Sequence, residues 1–189
     1  MVLSTRLPFL SPLQEVTGMN SSPFTLSGVH YRPITPDDVP AFYDVMMNAG
    51  MDERAETWNG TTPDDLRATL FAPDCGGYLA VDRDGRAVGC VGYRPHGNHT
   101  LVLYRLATRP EARGRGVGRQ LMNEAEGMAN REGYGRLMLP ISQFNLGVIP
   151  FYEHLGYRQV DEPYPFLKEG RPAPVVMVKE FKSHNEDSE

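Results

Sequence analysis

The sequence predicts a single α/β domain in which a mixed β-sheet carries helices on both faces. The chain has 189 residues, which is the size of one ordinary domain. Apolar residues make up 40% of it, including nine Tyr and eight Phe, and this is enough material for a hydrophobic core. Segments with strand-like and helical patterns follow one another along the chain, and a sheet covered on both faces satisfies that order.

The first elements are predicted as a strand and two helices. Residues 29–34 read as a strand. Thr35 and Thr62 are each followed by Pro-Asp-Asp, in which the threonine can cap a helix, proline fits the first position and the acids favour the positive helix end. Helices are therefore predicted after both threonines, and the second of them is short and ends before Pro73.

The rest of the chain predicts strands interrupted by two helices. An Asp-Gly pair joins the predicted strands 78–81 and 87–93, and residues 100–107 form another. Helical spacing begins at Val117 and ends at Gly133, which can stop a helix. A strand is predicted at 137–141, followed by a short helix that ends before Gly156. Two closing strands are predicted at 157–160 and 175–181.

The two ends of the chain have no periodic pattern. Residues 1–27 are predicted to be a flexible arm and residues 183–189 a disordered tail, which leaves 28–182 as the domain. Prolines interrupt the apolar start of the chain, which argues against a signal peptide. Met19 offers an alternative start, with residues 1–18 as an upstream extension.

Composition excludes several classes of function. Twenty-four acidic against nineteen basic residues give a net charge of -5, whereas a nucleic-acid binder needs a clustered basic surface. No apolar run reaches the roughly 18 residues of a membrane span. Cys75 and Cys90 form no C-x-x-C motif, so a reducing, cytoplasmic location is expected. His96 and His99 lack further ligands, and no metal site is predicted.

The most informative segment is the sequence RGRGVG over residues 113–118, which lies between a predicted strand and a strong helix. Glycines let the backbone approach a bulky anion, and the following helix offers unpaired N–H groups and the positive end of its dipole. Together these features predict a phosphate site. Three arginines add positive charge there: Arg113, Arg115 and Arg119.

Two common phosphate motifs do not fit this segment. A P-loop requires Lys-Ser/Thr after the glycines, and none follows. A dinucleotide-binding fold requires the G-x-G-x-x-G spacing in its first βαβ unit, whereas Gly114, Gly116 and Gly118 alternate in the middle of the chain.

Two blocks together resemble a known family. The pattern R-x-x-G-x-G over 113–118 resembles the acetyl-CoA pyrophosphate motif of the GNAT superfamily of N-acetyltransferases, and the preceding LYRLATRPE over 103–111 is similar to its fourth strand. The pattern N-x-x-V-x-x-F-Y-E-x-L-G-Y over 145–157 resembles a second signature of that family. The blocks stand in the family's order and separation, which implies an N-acetyltransferase that uses acetyl-CoA.

The resemblance also implies a fold and a cofactor site. The sheet would be mixed but mostly antiparallel, with about six to seven strands, and strands four and five would splay apart to admit the cofactor. Pro140 agrees with this, because proline belongs where a strand lacks a partner. A bulge on strand four is expected around residues 106–108. The implied cofactor contacts are Leu106, Ala107, Thr108, Arg113, Gly114, Arg115, Gly116, Val117, Gly118, Arg119, Asn145 and Tyr152.

The implied chemistry is direct transfer of the acetyl group to a primary amine. Tyr152 would be the general acid for the leaving thiolate, since a phenol with a pKa near 10 lies close to a thiol near 8.5. A main-chain N–H of Ala107 or Thr108 would stabilise the oxyanion. Pro150 would break a helix that began at Asn145, so a later helix start within 146–149 is expected.

The general base stays open. The family often uses a strand-four glutamate, and the equivalent positions here are Val102 or Tyr104. Glu56, or its neighbour Glu53, could receive the proton through water; Tyr104 could serve; or the amine could arrive neutral. Glu56 is the catalytic base that we predict.

The acceptor and the partners are less determined. By analogy of fold, the acceptor cleft is predicted to lie between Trp58 on one side and Tyr164 and Phe166 on the other. The acceptor is left unassigned between a small amine and a protein. A homodimer would be compatible with strand 175–181 as an edge. The missing carboxylate motivates an alternative function, a non-catalytic acyl-CoA-binding sensor or regulatory domain.

Overall fold

A computed structural model of the chain describes residues 28–51, 58 and 60–181. The arm predicted over 1–27, the tail over 183–189 and Glu56 lie outside these residues. The strands are β1 (His30–Pro33), β2 (Gly76–Val81), β3 (Ala87–His96), β4 (Thr100–Thr108), β5 (Arg136–Ile141), β6 (Arg158–Val160) and β7 (Val175–Glu180). The helices are α1 (Val39–Met47), α2 (Pro63–Leu70), α3 (Val117–Arg131) and α4 (Ile149–His154), with 3₁₀ turns at Pro36–Asp38, Pro110–Ala112 and Leu146–Val148.

The seven strands form one sheet in the order β1-β2-β3-β4-β5-β7-β6. Every neighbouring pair is antiparallel except β4 and β5, which run parallel. This confirms the predicted mixed, mostly antiparallel sheet and the predicted order of elements. The crossover between the two parallel strands contains α3, as a parallel connection requires.

The prediction that residues 175–181 form an edge strand is wrong. β7 lies between β5 and β6, and among the described strands β1 and β6 stand at the edges. The run of apolar residues in β7, buried from Val176 to Val178, is typical of an interior strand covered on both faces. β6 has three residues, so the edge on that side is short.

β4 and β5 separate after a few residues. Their parallel pairing covers three positions, from Thr100 with Arg136 to Val102 with Met138. Beyond this point β4 continues to Thr108 and β5 to Ile141 without pairing to each other. The predicted splay of strands four and five is therefore present, and it opens a gap in the middle of the sheet.

Hydrophobic packing fixes the helices on the two faces. α3 buries one side against one face of the sheet through residues such as Leu121 and Met122, both fully buried. α1 and α2 cover the other face through Phe42 and Leu66, which are also fully buried. Within the described part of the chain, none of the helices has the length and apolar character that crossing a membrane would require.

An ion pair at the start of the domain makes its stability depend on acid pH. Arg32 on β1 donates two hydrogen bonds of 2.7 Å to Asp38, and this guanidinium lowers the pKa of the Asp38 carboxyl to about 2. The pair stabilises the fold fully above the unfolded pKa near 4, and that stabilisation is lost as the pH falls towards 2.

We expect Asp38→Asn to lower the free energy of unfolding at pH 7 by about 1–2 kcal/mol, after discounting for the partly exposed Arg32. The deficit should shrink between pH 4 and pH 2, because wild-type Asp38 then becomes protonated. Urea unfolding at pH 7 and at pH 2.5 measures this. Asp37→Asn is the matched control on the exposed neighbour. A deficit that stayed constant with pH would show that the ion pair is not its source.

Candidate active site

The gap between β4 and β5 continues into a cleft of about 770 Å³. Residues 103–106 of β4 and 139–141 of β5 form its floor. Trp58 and α2 contribute one wall, and Tyr164 and Phe166, between β6 and β7, contribute the other. These three aromatic side chains thus lie where the sequence placed the walls of an acceptor site.

A bulge shapes the floor of this cleft. Between Tyr104 and Ala107, β4 carries one residue more than the facing stretch of β3. Within it Arg105 has a φ of 57°, in the left-handed region. The bulge therefore lies at Arg105 and Leu106, slightly before the predicted 106–108. Glycine or asparagine usually marks a left-handed residue, and neither is present here, so the sequence misplaces the bulge.

The direction of the main chain after the bulge decides which amides face the gap. The N–H of Arg109 donates to the carbonyl of Val88 on β3 at 2.9 Å. Because main-chain groups alternate sides along a strand, the Ala107 N–H also turns to β3, whereas those of Leu106 and Thr108 turn towards the gap. Of the two predicted oxyanion donors, Thr108 fits this geometry and Ala107 does not. Leu106, which the resemblance implied as a cofactor contact but not as the oxyanion donor, fits it as well.

Pro140 lies on the opposite side of the gap. The N–H of Arg136, at the start of β5, donates to the carbonyl of His99 just before β4, at 3.2 Å. By the same alternation Met138 and Pro140 turn their main chains towards β4. Proline has no N–H, so no unpaired donor is left where β4 has moved away.

The glycine-rich turn leads into α3 in the way a phosphate site requires. Gly114 and Gly116 have φ values of 71° and 78°, which other residues rarely adopt. The first intrahelical bond runs from the N–H of Gln120 to the carbonyl of Gly116 at 3.0 Å. Arg115 is exposed beside the turn. Three N–H groups have no partner within the helix: those of Val117, Gly118 and Arg119.

Two other arginines connect this region to α1 and to the residues that follow it. Arg109 is 6% exposed and forms an ion pair with Asp44. The guanidinium of Arg113 donates to the carbonyl of Ala49, and its N–H donates to the carbonyl of Pro110 at 3.2 Å. Arg113 was predicted as a cofactor contact. Its main-chain N–H and its guanidinium both have partners within the protein, so here the residue positions the turn.

Asn145 and Tyr152 both line the cleft. A 3₁₀ turn at Leu146–Val148 follows Asn145, and α4 begins after it with Pro150 at its second position. The first turn of a helix needs no N–H from proline, so the late helix start expected from Pro150 is observed. The side-chain amide of Asn145 lies 3.8 Å from the sulfur of Met51.

The environment of Tyr152 keeps its phenol neutral. The half-buried ring packs edge-on against Phe151 and Tyr157, with centroid distances of 5.0 and 6.0 Å. Burial raises the pKa of Tyr152 above its ordinary value of 10. The hydroxyl therefore carries its proton at physiological pH and is available as a donor in the cleft.

The candidates for a general base differ in position. Glu56 and Glu53 lie outside the described residues, so their role stays a prediction. Val102 is fully buried in the core. Tyr104 lines the cleft, and its hydroxyl donates to the carbonyl of Thr69 at 3.4 Å. Burial raises the pKa of Tyr104, and this opposes its acting as a base.

Two arginines of the cleft, Arg94 and Arg105, were not among the predicted site residues. Each interrupts a strand that is otherwise mostly apolar, and this was the available signal. Long-range strand pairing and the bulge bring them together, and neither feature can be deduced from local pattern.

Comparisons with known proteins agree on one family. Residues 43–157 match the Acetyltransferase (GNAT) family. Streptothricin acetyltransferase of Streptomyces lavendulae is 28% identical over 151 residues, which cover 76% of this chain and 75% of that protein. Mycothiol acetyltransferase of Salinispora arenicola is 34% identical over 137 residues, which cover 67% of this chain and 43% of that protein. The aligned part thus spans less than half of the mycothiol enzyme.

Solved structures share the fold. The ribosomal-protein-S18-alanine N-acetyltransferase from Escherichia coli superposes with a TM-score of 0.67 at 17% identity, covering 85% of this chain and 99% of that one. The PaiA N-acetyltransferase from Thermoplasma acidophilum, solved in complex with coenzyme A, superposes with a TM-score of 0.65 at 17% identity, covering 82% and 100%. The family match extends over more than half of the chain, and this protein therefore belongs to the GNAT family and is an N-acetyltransferase.

Proposed function

We propose that this protein transfers an acetyl group from acetyl-CoA to a primary amine by direct attack of the amine on the thioester. The observation that carries the proposal is the gap between β4 and β5. The start of α3 lies at its end, because a Cβ atom on Gly118 would be 3.5 Å from the Thr108 hydroxyl and 3.7 Å from Phe151. Tyr152 lines the cleft into which the gap opens.

The residues present fit this cofactor. The N–H groups of residues 117–119 would hold the pyrophosphate, since they combine unpaired donors with the positive end of the helix dipole. The main chain at Leu106 and Thr108 would hold the pantetheine arm, with Asn145 beside it. When bound, acetyl-CoA supplies an acetyl group activated as a thioester. The coenzyme A complex of the PaiA enzyme, which has the same fold, supports this assignment.

Two groups of the chain would stabilise the charges that develop during transfer. An N–H of Leu106 or Thr108, turned towards the gap, would donate to the carbonyl oxygen as it becomes negative. The Tyr152 hydroxyl would protonate the leaving thiolate. Burial holds the phenol in its neutral form, so this proton is present at the start of each turnover. The same rise in pKa makes the phenol a weaker acid than its ordinary pKa near 10 would.

The amine must lose a proton, and three routes remain. Glu56 or Glu53 could accept it through water. Tyr104 could accept it directly, although its raised pKa weakens this route. An amine of low pKa could enter already neutral. The pH dependence of kcat/KM measured with amines of different pKa separates these routes, because only the last follows the pKa of the substrate.

Calorimetric titration with acetyl-CoA is the first test. We expect one site per chain with micromolar affinity, the range typical of enzyme substrates. A panel of primary amines, followed by the release of free coenzyme A thiol, then measures turnover. A folded protein that bound no acetyl-CoA up to millimolar concentration would contradict the proposal.

A further inference from the structure

We infer that the amine acceptor carries a carboxylate group, which Arg94 and Arg105 bind in the cleft. This inference rests on the proposed acetyl transfer and names the class of its substrate. Neither arginine is used by the cofactor site or by the proton transfers described above. Both line the cleft between its two walls.

Arg94 is held in place by aromatic side chains. Its guanidinium carbon lies 3.4 Å from the ring centroid of Phe166 and 4.9 Å from that of Tyr104, and Nη2 donates to the Tyr164 hydroxyl at 3.0 Å. Nε is buried, and no residue that the structure describes accepts a hydrogen bond from it. A guanidinium has five N–H donors, and among the described residues the Tyr164 hydroxyl is the acceptor recorded for this one. A buried N–H without an acceptor is uncommon in native proteins, and one reason for it is that a bound ligand supplies the acceptor.

Arg105 reaches the same place because of the bulge. Its guanidinium carbon lies 5.2 Å from the ring centroid of Tyr104, and Nη1 donates to the Thr69 hydroxyl at 3.0 Å. In a regular strand, neighbouring residues point to opposite faces. Here the left-handed Arg105 and the preceding Tyr104 both contact Thr69. The strained backbone thus places a second positive charge near Arg94, and functional sites are where such strain tends to persist.

The positive charge of the two arginines is only partly offset nearby, because Asp65 acts on Arg105 without forming an ion pair with it. Burial lowers the pKa of Arg105, and the charge of Arg94 acts in the same direction. Neither forms an ion pair with any carboxylate among the described residues. Asp65 also lines the cleft, but one of its oxygens already accepts the N–H and the hydroxyl of Thr62, both at 2.8 Å.

The described lining of the cleft is basic although the chain carries a net charge of -5. Asp65 is the one acidic side chain in its described lining. A basic cleft concentrates anions, and guanidinium groups bind carboxylates with paired, charge-assisted hydrogen bonds. The basic residues of the lining are Arg94, Arg105, Lys168 and Arg171.

The phosphates of the cofactor do not account for this charge. Their proposed donors, residues 117–119, do not line the cleft. The two arginines lie instead between the predicted acceptor walls, with Arg94 stacked on Phe166 and bonded to Tyr164. An anionic group on the acceptor is therefore the partner that this position selects.

The test compares amino acids with their own carboxamides as acceptors. Each pair differs in the charge of the group that the arginines would bind. The amine of a carboxamide is less basic, so reactivity alone would favour it. We expect the acid to be preferred in kcat/KM by about 10-fold to 100-fold, the effect of charge-assisted hydrogen bonds. Aminoalkylphosphonates, as a third arm, distinguish a carboxylate site from a general oxyanion site.

Single variants assign the preference to the two residues. Arg94→Gln and Arg105→Gln should each reduce the preference for the acid by about 10-fold, and should leave the Kd for acetyl-CoA unchanged. Arg94→Lys keeps the positive charge and should retain part of the preference. It therefore tests the role of the charge even if the glutamine variant fails to fold. Arg67→Gln, on the exposed side of α2, removes the same charge outside the cleft and should change nothing.

The possible results separate failure of this inference from failure of the proposed function. Equal kcat/KM values for acids and carboxamides, or a preference that survives both glutamine variants, would overturn the inference. If calorimetry showed that the protein does not bind acetyl-CoA, that result would instead contradict the proposed function. If no amine is turned over, calorimetry of acids and carboxamides with the coenzyme A-loaded protein decides. Equal affinity there, or no binding of acids, overturns the inference as well.

Discussion

Tyr152→Phe is expected to lower kcat by about 100-fold or more, as loss of a positioned proton donor usually does. The ring packs between Phe151 and Tyr157, so phenylalanine fills the same space and the fold should be unaffected. The Kd for acetyl-CoA, measured by calorimetry, should not change. Because burial raises the pKa of Tyr152, we also expect no loss of wild-type kcat from this group below about pH 10.

Tyr157→Phe is the matched control for this experiment. The hydroxyl of Tyr157 donates to Glu126 at 3.1 Å on α3, away from the cleft. Its loss should cost stability of about 1 kcal/mol and leave kcat intact. An unchanged kcat in Tyr152→Phe would remove the general-acid role from Tyr152. Measurable turnover by the wild type also excludes the alternative of a purely binding domain, which has no rate to lose.

Gly118→Asp is expected to raise the Kd for acetyl-CoA by about 100-fold or more. The carboxylate would stand where the pyrophosphate is proposed to lie, and like charges about 4 Å apart repel by roughly 1–4 kcal/mol for each pair at the surface. The protein should still fold, because the new Cβ makes ordinary contacts of 3.5 and 3.7 Å. An acid in the first turn even favours the helix dipole, so stability and affinity should change in opposite directions.

Gly118→Asn separates charge from shape. Asparagine has nearly the same volume as aspartate and no charge, so its effect on the Kd should be several-fold smaller. Calorimetry gives the affinities, and urea unfolding shows that each variant is folded. If both variants bound acetyl-CoA as tightly as the wild type, the pyrophosphate would lie elsewhere.

Much of the fold could be predicted because local signals agree with the global structure. The two Thr-Pro-Asp-Asp segments do begin helical structure, and at Thr62 the hydroxyl accepts the Asp65 N–H at 3.1 Å. The interior place of β7 could not be foreseen from its position in the chain. It follows from β6 pairing on the outer side of β7, a choice made by tertiary packing.

The candidate site divides in the same way. The glycine-rich turn and Tyr152 belong to contiguous motifs, and the sequence pointed to both. The main chain of Leu106 was noted, but its direction depends on a bulge that no glycine marks. Arg94 and Arg105 come from different strands and meet through pairing and backbone strain. Sequence patterns report local periodicity, so they do not report such meetings.

Pro140 has a consequence for the speed of ligand capture. Two parallel strands that could pair along their full length would spend part of their time closed, and the apparent affinity for any ligand entering between them would fall by that fraction. Pro140 cannot donate to β4, so full closure would leave a carbonyl group of β4 without its partner. The open arrangement is therefore the resting arrangement of the sheet. Association can then proceed at the encounter rate, without waiting for strands to separate.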